Sequence, residues 1–426
     1  MPLNIPESSL ERLVIVGAGF GGFTLAHKLQ NSKYQIVLLD KNNYHQFQPL
    51  FYQVAMAGLE PSSICFPLRK SFQSNPNFFV RNAEVEEILI DEKKVKTNFG
   101  TIRYDKLVLA QGAKTNYYNN KQFETYTIPL KSISEALYLR NKILEDLEKA
   151  LMIKGDEDIS PLLDIVIIGG GPTGVEIAGA LAELKKHVLP RDYPDLAIHK
   201  MDIHIIQGAD RLLPSMSVQS SHRALKDLQN LGVNVSLGKR VQSIQDGQIQ
   251  LQDGSTLEAF KIIWAAGISP QHIPGLKNEC YHENGRIIAD RFHTVKGLHD
   301  VFVIGDMSYV TTDKFPNGLP QVAPVALQQA NHLSKILKGK KLSPFEYFDK
   351  GQLATIGRHK AVVDIGSFHS SGIFAWLSWL FVHIYYLIGV RNKLIVLFNW
   401  FWSYVFYDQA LRLIIRPFTI NKSNKS

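Results

Sequence analysis

Short apolar runs alternate with glycine-rich turns and amphipathic segments along the first part of the chain. Residues 12–16 (RLVIV) form a β-branched run that opens onto GAGFGG, and a helix-like segment, FTLAHKLQ, follows. The next apolar run is YQIVLLD, residues 34–40. Continuous apolar runs of this length are typical of strands covered on both faces of a parallel sheet. The pattern therefore predicts a strand–helix–strand unit, with further strands over residues 78–91 and 93–110.

The same pattern restarts near residue 160, so the chain contains an internal repeat on the scale of a domain. LLDIVIIGGGPTG (162–174) repeats the strand, turn and helix, DIHIIQ (202–207) is the second strand of the repeat, and KIIWAAG (261–267) closes it. DVFVIGD (300–306) then predicts a strand that returns to the first domain. With 426 residues the chain can form two or three domains. We predict an α/β fold with two Rossmann-like domains, the second inserted in the first.

From about Leu342 the pattern changes to long uncharged stretches. Residues 365–390 contain no Asp, Glu, Lys or Arg, and residues 394–407 are again uncharged and rich in aromatic side chains. The first stretch is long enough for a membrane span of roughly 20 residues, but the second is too short. Polar residues interrupt both stretches, and their tryptophans suit a membrane interface (Trp376, Trp379, Trp400 and Trp402). We favour a pair of amphipathic helices lying in the membrane plane; one span, or a dimerisation layer without lipid contact, are the alternatives.

Basic residues are in excess, and the excess is marked in this C-terminal region. The net charge is +8, and after residue 365 a single acid, Asp408, is set against six basic residues (Arg391, Lys393, Arg412, Arg416, Lys422 and Lys425). A basic, aromatic tail suits an anionic membrane surface better than nucleic acid. The two cysteines, Cys65 and Cys280, form no CxxC pattern, which excludes a disulfide-built fold. The polar N-terminus contains no secretory signal, so we expect the globular part in the cytoplasm.

Each predicted turn between strand and helix contains a glycine motif suited to a dinucleotide. Gly17, Gly19 and Gly22 form GxGxxG. The first glycine allows a tight turn, the second lets a pyrophosphate approach the backbone, and the third lets helix and strand pack closely. The helix N-terminus then presents free N–H groups to the phosphate. Asp40 ends the next strand, 18 residues after Gly22, and can bind a ribose hydroxyl; a glycine-rich turn with a solvated aspartate is the alternative.

A second GxGxxG, formed by Gly169, Gly171 and Gly174, has the same context in the repeat. Two dinucleotide sites in one chain suggest one tightly held and one exchanging cofactor, usually a flavin and a nicotinamide. Asp306, in IGD on the returning strand, can hold the ribityl chain of FAD. We therefore predict an FAD-binding domain over residues 1–125 and 269–341. The inserted domain (126–268) would bind NADH or NADPH, and residues 342–426 would associate with the membrane.

The chain resembles a known family over nearly its full length. The residues that carry the resemblance are GAGFGG (17–22), YHQFQPLFYQVA (44–55), GGGPTGVEIAG (169–179), FVIGDM (302–307), APVALQQ (323–329) and the C-terminal run over residues 377–408. They are similar to those of the type II NADH dehydrogenases, the single-chain NADH:quinone oxidoreductases of respiratory membranes. These belong to the flavoproteins with two dinucleotide-binding domains. The FQPL(F/L)YQVA motif and the tail are the parts that distinguish the family from general flavin reductases.

The resemblance implies a homodimer on the cytoplasmic face of the cell membrane. Two electrons would pass from NADH through FAD to a membrane quinone, without proton pumping. The residues that we expect to bind FAD are Gly17, Gly19, Phe20, Gly21, Gly22, Asp40, Lys41, Gln48, Val85, Ala110, Gly112, Gly305, Asp306, Ala323 and Ala326. Those that we expect to bind the nicotinamide nucleotide are Gly169, Gly171, Pro172, Thr173, Gly174, Gln207 and Gly267.

Glu176 is the candidate catalytic residue. We predict it in the first turn of the helix after GGGPTG, where an acid also stabilises a helix N-terminus by about 0.3–1 kcal/mol. The resemblance implies that this glutamate lies near the nicotinamide and flavin rings and handles a hydride or proton. Cys65 and Cys280 are expected to be ordinary thiols. His45 and Gln48 are expected to contact FAD or shape the quinone entrance, with a satisfied loop histidine as the alternative. No His, Cys, Asp and Glu cluster has metal-ligand spacing, so we predict no metal.

The segment QVAPVALQQA, residues 321–330, is similar to the family's AQxAxQ motif, which lies beside the flavin on the quinone side. Two alanines and Gln328 keep the pattern, but Pro324 replaces its first glutamine. One expected hydrogen bond to a quinone carbonyl is therefore missing. We expect Gln328 or Gln329 to contact the quinone. The alternative is a helix N-terminus packed on the flavin, with Pro324 in the first turn.

Gln207 occupies the position where the second nucleotide site usually has an acid. It follows Gly174 by 33 residues, more than the usual interval of about 20, and the segment 185–200 can hold the extra length. A carboxylate accepts a hydrogen bond from the ribose 2′-hydroxyl and repels a 2′-phosphate. The glutamine side chain can accept the same hydrogen bond but does not repel the phosphate. One charge pair at about 4 Å is worth roughly 1 kcal/mol in water and about 4 near a protein surface. We therefore expect NADPH to be accepted besides NADH, with Arg211 as a possible additional attraction.

Two other functions remain open from the sequence. One is a soluble NAD(P)H-dependent flavin reductase with a protein acceptor such as a ferredoxin, against which the C-terminal tail argues. The other is a non-catalytic redox sensor that binds NADH tightly. Slow turnover and a long-lived charge-transfer complex would favour the sensor.

Overall fold

The computed structural model describes residues 2–73, 75–153, 158–406 and 411–416. Tyr407, Asp408, Lys422 and Lys425 of the predicted tail lie outside the described residues. The helices, in chain order, are α1 (Phe20–Leu29), α2 (Phe51–Ala55), α3 (Pro61–Ile64), α4 (Leu68–Phe72), α5 (Lys121–Tyr126), α6 (Ile133–Met152), α7 (Ser160–Leu163), α8 (Pro172–His187), α9 (Leu189–Asp192), α10 (Val218–Asn230), α11 (Ala323–Leu337), α12 (Ile373–Tyr386) and α13 (Val390–Phe406).

The strands are short and follow the apolar runs of the sequence. In chain order they are β1 (Arg12–Val16), β2 (Gln35–Asp40), β3 (Tyr44–Gln46), β4 (Cys65–Pro67), β5 (Phe78–Asn82), β6 (Val85–Leu89), β7 (Lys94–Thr97), β8 (Gly100–Arg103), β9 (Lys106–Leu109), β10 (Ala113–Thr115), β11 (Ile128–Pro129), β12 (Ile165–Ile168), β13 (Ile203–Gln207), β14 (Val233–Leu237), β15 (Val241–Gln245), β16 (Gln248–Leu251), β17 (Thr256–Glu258), β18 (Lys261–Trp264), β19 (Ile268–Pro270), β20 (Ile287–Ile288), β21 (Val301–Val303), β22 (Ser308–Tyr309), β23 (Gln352–Gly357), β24 (Lys360–Ile365) and β25 (Phe368–Ser371).

The first compact unit comprises Met1–Gln46, Cys65–Lys114 and Ile268–Lys350. Its main sheet has the strand order β21-β9-β1-β2-β5, and every neighbouring pair is parallel. The inner strands β1, β2 and β9 are almost wholly buried, because a parallel sheet places apolar side chains on both of its faces. Helix α1 packs against α11, so the helix of the first glycine turn and the helix after Asp306 share one side of the unit.

The second compact unit comprises Phe47–Ile64, Thr115–Gly267 and Gly351–Ser426. Its main sheet has the order β11-β18-β12-β13-β14 and is again parallel throughout. An antiparallel sheet of β23, β24 and β25 packs on α8 through β23. This approach requires glycine at position 179, because a Cβ there would overlap the carbonyl group of Ile356. The helix after the second glycine motif is thereby held against the strands that precede the C-terminal helices.

The predicted α/β fold with two Rossmann-like sheets is confirmed, and β21 returns to the first sheet beside β9 as expected. The compact units change over after residues 46, 64, 114, 267 and 350. The domain boundaries predicted from the sequence lie after residues 125, 268 and 341, and these boundaries stay predictions. Residues 47–64 were not expected to group with the second unit, because their apolar pattern alone does not show which sheet they pack against.

Candidate functional site

The first glycine turn, between β1 and α1, has an open cradle at the helix N-terminus. Gly17 has a φ of +98°, and a Cβ on Gly22 would overlap the Gly17 carbonyl group, so helix and turn approach closely only with glycine at both positions. Gly19 is the N-cap of α1 and offers no side chain to its free N–H groups. A Cβ on Gly19 would meet no atom within 4 Å. The turn therefore offers backbone N–H groups to an anion such as a pyrophosphate.

Asp40 ends β2 and braces this turn. Its Oδ2 accepts a hydrogen bond of 2.6 Å from the Ala18 N–H, and its Oδ1 accepts one of 2.7 Å from the Asn42 N–H. Burial raises the pKa of Asp40, and the two backbone hydrogen bonds and Lys41 oppose that rise. The strand-end acid is thus fixed at the glycine turn, as its position in the sequence suggested.

Other predicted FAD residues lie in the same unit. Phe20 and Gly21 begin α1, Ala110 and Gly112 follow β9, Gly305 and Asp306 follow β21, and Ala323 and Ala326 are in the first turn of α11. Lys41 follows β2, and Val85 begins β6. Gln48 is an exception, because it belongs to the second compact unit, where its Oε1 accepts a hydrogen bond of 3.4 Å from the Lys131 ammonium group.

Two of the buried polar atoms in the first unit that have no hydrogen-bond partner among the described residues belong to segments beside the first glycine turn. The His45 Nδ1 lies 2.8 Å from the Ala18 carbonyl oxygen, while its Nε2 is unpaired, and so is the Oε1 of Gln111 after β9. Burial lowers the pKa of His45 to about 4, so the ring is neutral, donates from Nδ1 and leaves Nε2 as an acceptor. Both atoms belong to segments next to the open cradle. A ligand with hydroxyl or ring N–H donors would satisfy them, so these residues fit FAD.

The second glycine turn, between β12 and α8, repeats the first. Gly169 has a φ of +113°, and a Cβ on Gly174 would overlap the Gly169 carbonyl group. Gly171 is the N-cap of α8, without a side-chain cap and with no atom within 4 Å of its Cβ position. Pro172 and Thr173 begin α8, and Gly267 lies three residues beyond β18. The predicted residues for the nicotinamide nucleotide are therefore gathered in the second unit.

Gln207 ends β13 and takes the place that Asp40 has in the first unit. Its Oε1 accepts a hydrogen bond of 2.9 Å from the Gly170 N–H, the counterpart of Ala18. Its Nε2 donates to the Arg211 carbonyl oxygen at 3.3 Å. The guanidinium group of Arg211 donates to the carbonyl oxygens of Pro214 and Met216 at 2.7 and 2.9 Å, so it is directed into its own loop. That direction argues against the additional attraction suggested for Arg211.

A cavity of about 170 Å³ lies in the second unit beside Glu176. One face of α8 lines it with side chains spaced at helical intervals, from Glu176 to Glu183 and His187. Trp379 of α12 and Trp400 of α13 form part of the opposite wall. The Trp400 Nε1 donates a 2.7 Å hydrogen bond to Gln53 Oε1, which ties α13 to the segment of the YQVA motif. The cavity is therefore walled in part by aromatic rings and carries two carboxyl groups of α8, those of Glu176 and Glu183.

Glu176 is the fifth residue of α8, so the prediction of a place in the first turn is wrong. The helix begins at Pro172, one turn earlier than that prediction required. Burial raises the pKa of Glu176 to about 8, although hydrogen bonds from Trp379 Nε1 (3.3 Å) and the Thr355 N–H lower it. Its side chain is half-buried, and its exposed part lines the cavity. The group is consequently a neutral acid at pH 7, able to donate a proton.

Both glutamines predicted to contact a quinone are engaged within the first unit. Gln329 is fully buried, and its Oε1 accepts hydrogen bonds from the Gly305 N–H at 2.7 Å and from the Ser308 hydroxyl at 3.3 Å. The Gln328 amide donates to the Phe348 carbonyl oxygen at 2.8 Å and accepts from its N–H at 3.0 Å. This geometry favours a structural role for Gln329, which supports the turn before Asp306, over the predicted contact. Pro324 lies in the first turn of α11, as the alternative required.

Helices α12 and α13 carry large apolar side chains on their outer faces. On α12 these recur at helical spacing, with Phe374 75% and Phe381 70% exposed, and on α13 the exposed residues include Leu394, Leu397, Phe398, Phe401, Trp402 and Val405. Trp379, in contrast, is 1% exposed, so its predicted place in an interface belt is wrong. It is held inside by Glu176 and by stacking on His383 at 3.8 Å between ring centroids. Within the described residues, no helix is long and apolar enough to cross a membrane.

Comparisons with known proteins bear on both units. Residues 11–330 match the family "Pyridine nucleotide-disulphide oxidoreductase", and residues 350–407 match "NDH2 C-terminal domain". The chain is 34% identical over 412 residues to the "Type II NADH:quinone oxidoreductase Ndh" of Mycobacterium tuberculosis, covering 91% of this chain and 87% of that protein. It is 26% identical over 446 residues to the mitochondrial "Internal alternative NAD(P)H-ubiquinone oxidoreductase A1" of Arabidopsis thaliana, covering 96% and 86%.

A solved structure, that of NDH2 from Plasmodium falciparum in complex with NADH, superposes with a TM-score of 0.86 at 22% identity. The superposition covers 95% of this chain and all of that chain. At this identity the likeness shows that the two chains share a fold.

Proposed function

The chain belongs to the type II NADH:quinone oxidoreductases, and from this premise we propose that it passes two electrons from NADH, and also from NADPH, through FAD to a membrane quinone. The observation that carries the proposal is Glu176, a carboxyl group held neutral in an aromatic cavity. An acceptor that becomes a quinol needs protons as well as electrons, and a neutral buried acid meets that need.

FAD, when bound, supplies the redox chemistry by accepting a hydride from the nicotinamide and returning two electrons to the quinone. The first unit would hold it. The N–H groups at Gly19 would bind the pyrophosphate, Asp40 would bind a ribose hydroxyl, and Asp306 would bind the ribityl chain. The unpaired Nε2 of His45 and Oε1 of Gln111 would accept hydrogen bonds from the cofactor's donors. The second unit would hold the nicotinamide nucleotide, with its pyrophosphate at Gly171.

The proposed acceptor site is the cavity beside Glu176. Its aromatic walls suit a flat, apolar ring, and the polar side chains of Gln53 and Glu176 also line it. Glu176 donates one of the two protons that convert a quinone to a quinol, and solvent supplies the other and reprotonates the carboxylate. Trp379 and the Thr355 N–H remain as donors that hold the carboxylate in place after it has lost its proton.

NADPH use is proposed from Gln207. Its Oε1 keeps the turn in place and still accepts a hydrogen bond from a ribose hydroxyl, while its neutral amide brings no negative charge near a 2′-phosphate. Compared with the glutamate that is usual at this position, Gln207 removes a repulsion between carboxylate and 2′-phosphate of about 1–4 kcal/mol at contact distance. NADPH is therefore accepted besides NADH.

Membrane association is proposed for the outer faces of α12 and α13. Exposed phenylalanines such as Phe374, Phe381 and Phe401 would insert into the lipid interface, and Arg391 and Lys393 would meet anionic headgroups. The protein would be peripheral on the cytoplasmic face of the cell membrane and would not pump protons. A homodimer remains an expectation from the family resemblance.

A stopped-flow experiment tests the proposal. The flavin-loaded protein is mixed with NADH or NADPH, bleaching at 450 nm is followed, and a quinone analogue is then added. We expect fast bleaching by both nucleotides and fast reoxidation by the quinone. Bleaching by NADH alone would remove the NADPH part, and reduced protein that no quinone reoxidises would contradict the proposed acceptor.

Pelleting with anionic vesicles tests the membrane part separately. Binding should weaken as salt rises, because the headgroup contacts are screened.

Glu176→Gln should slow reoxidation by quinone more than bleaching by NADH, because the substitution removes the proton that the acceptor takes. Equal slowing of both steps would place Glu176 in the hydride step instead.

A further inference from the structure

Arg240 extends across the backbone of Gly208, the residue that follows Gln207. A Cβ at position 208 would lie 3.1 Å from the Arg240 Cγ and 3.4 Å from its Nε. The arginine stem therefore rests on a glycine surface that a larger side chain would partly block. Both residues are exposed, so the guanidinium group faces solvent beside the end of β13.

The two loops that bring these residues together are joined by backbone hydrogen bonds. The Gly238 N–H donates to the Ala209 carbonyl oxygen at 2.8 Å, and the Lys239 N–H donates to that of Gln207 at 3.1 Å. Both loops follow neighbouring parallel strands, β13 and β14, so they lie at the same edge of the sheet. The position of Arg240 beside Gln207 is thus set by the sheet itself.

The guanidinium group of Arg240 has no acidic partner among the described residues. Its neighbour Lys239 differs, because its ammonium group pairs with Asp253 at 2.8 Å. Arg211, the other arginine near Gln207, donates to backbone carbonyl oxygens of its own loop. Of Arg211, Lys239 and Arg240, it is therefore Arg240 whose charged group is left to pair with an incoming anion.

We propose that Arg240 binds the 2′-phosphate of NADPH and, with Gln207, sets the choice between the two nucleotides. The inference rests on the proposed nicotinamide site in the second unit. In a Rossmann domain the adenosine ribose lies at the end of the second strand, where an arginine can accommodate the 2′-phosphate. Gln207 removes the repulsion there, and Arg240 adds an attraction through planar N–H groups that suit a phosphate.

An exposed arginine beside an adenosine site has a second possible use. Its flat guanidinium group can stack on the adenine ring, which would strengthen the binding of every adenine nucleotide equally. A contact with the 2′-phosphate instead strengthens only ligands that carry this group. The two uses are separated by comparing a pair of ligands that differ in the 2′-phosphate alone.

Calorimetric titration of the flavin-loaded protein with 2′,5′-ADP and with 5′-ADP makes this comparison. We expect Arg240→Gln to weaken 2′,5′-ADP about tenfold, which is about 1.4 kcal/mol, and to change 5′-ADP less than twofold. Arg240→Lys should keep part of the affinity, because the charge remains. Arg103→Gln is the matched control: it removes an exposed arginine charge from the first unit and should change neither affinity.

A second readout is flavin bleaching. Arg240→Gln should raise the NADPH concentration for half-maximal bleaching about tenfold and leave that for NADH unchanged. Equal weakening of both ADP ligands, or no weakening of either, overturns the proposal. A selective loss of 2′,5′-ADP binding in a protein that no quinone reoxidises would uphold Arg240 while the proposed acceptor fails.

Discussion

Replacing Glu176 with glutamine should make the protein more stable at alkaline pH. Burial raises the pKa of Glu176 from 4.5 to about 8, so the folded state binds its proton more tightly than the unfolded state. The stability that depends on this group is complete below pH 4.5 and is lost as the pH rises through about 8. Each pKa unit corresponds to about 1.4 kcal/mol, so the protein has lost about 3 kcal/mol of stability by pH 7, where the unfolded glutamate has ionised and the folded one has kept its proton. The part of the Glu176 side chain that is exposed in the cavity reduces this loss, so we expect a loss of stability of about 1–3 kcal/mol.

The measurement is the free energy of unfolding in urea at pH 5.5, 7.0 and 8.5, for the wild type and Glu176→Gln, both loaded with flavin. Glutamine does not titrate, so the variant should gain on the wild type as the pH rises. Glu183→Gln is the control, because Glu183 lines the same cavity but lies 3.3 Å from the Arg358 N–H and 3.6 Å from His187. Its difference from the wild type should not grow with pH in this range. Parallel pH curves for the wild type and Glu176→Gln would refute a neutral Glu176.

Other substitutions test the remaining parts of the structure. Gln207→Glu should lower the ratio of kcat/KM for NADPH to that for NADH about tenfold, because a carboxylate repels the 2′-phosphate; an unchanged ratio would contradict the interpretation of this position. Gly174→Ala should cost about 1–3 kcal/mol in urea unfolding, because its Cβ has no room, whereas Gly171→Ala, with open space, should cost less. Gln329→Leu should release FAD more readily in a flavin-retention assay, since the Gly305 turn loses its acceptor; normal retention would argue against that support. Phe374→Ser should weaken pelleting with anionic vesicles while leaving flavin bleaching by NADH unchanged, and equal pelleting would exclude this face as the lipid contact.

Local patterns in the sequence were sufficient for the two sheets and their turns. The buried runs of β1 and β12, each followed by GxGxxG, specify a strand, a tight turn and a helix, because each step depends on neighbours in the chain. The last residue of β13 was likewise identified as Gln207, since the apolar run ends there.

Contacts between distant segments were not accessible to the same reasoning. Trp379 looked like an interface residue because tryptophan in an uncharged stretch usually is, but a partner 203 residues away holds it inside. Gln329 follows Gln328 in a motif linked to quinones, and only the helix phase of α11 shows that it is buried against Gly305. Arg240 carries no motif at all. The available signal was Gly208, directly after the end of β13. The sequence alone does not show that Arg240 lies across this glycine.

The hydrogen bond from the turn N–H to the strand-end side chain limits which residues can replace Asp40 and Gln207. The acceptor in both units is a side-chain oxygen, at 2.6 and 2.9 Å. A carboxylate and an amide both provide that oxygen, so an exchange between Glu and Gln alters the charge presented to the nucleotide while the turn stays braced. The codons for these two residues differ by a single base. The cofactor preference of such an enzyme can therefore drift in one mutational step without an unfolded intermediate in its evolutionary path.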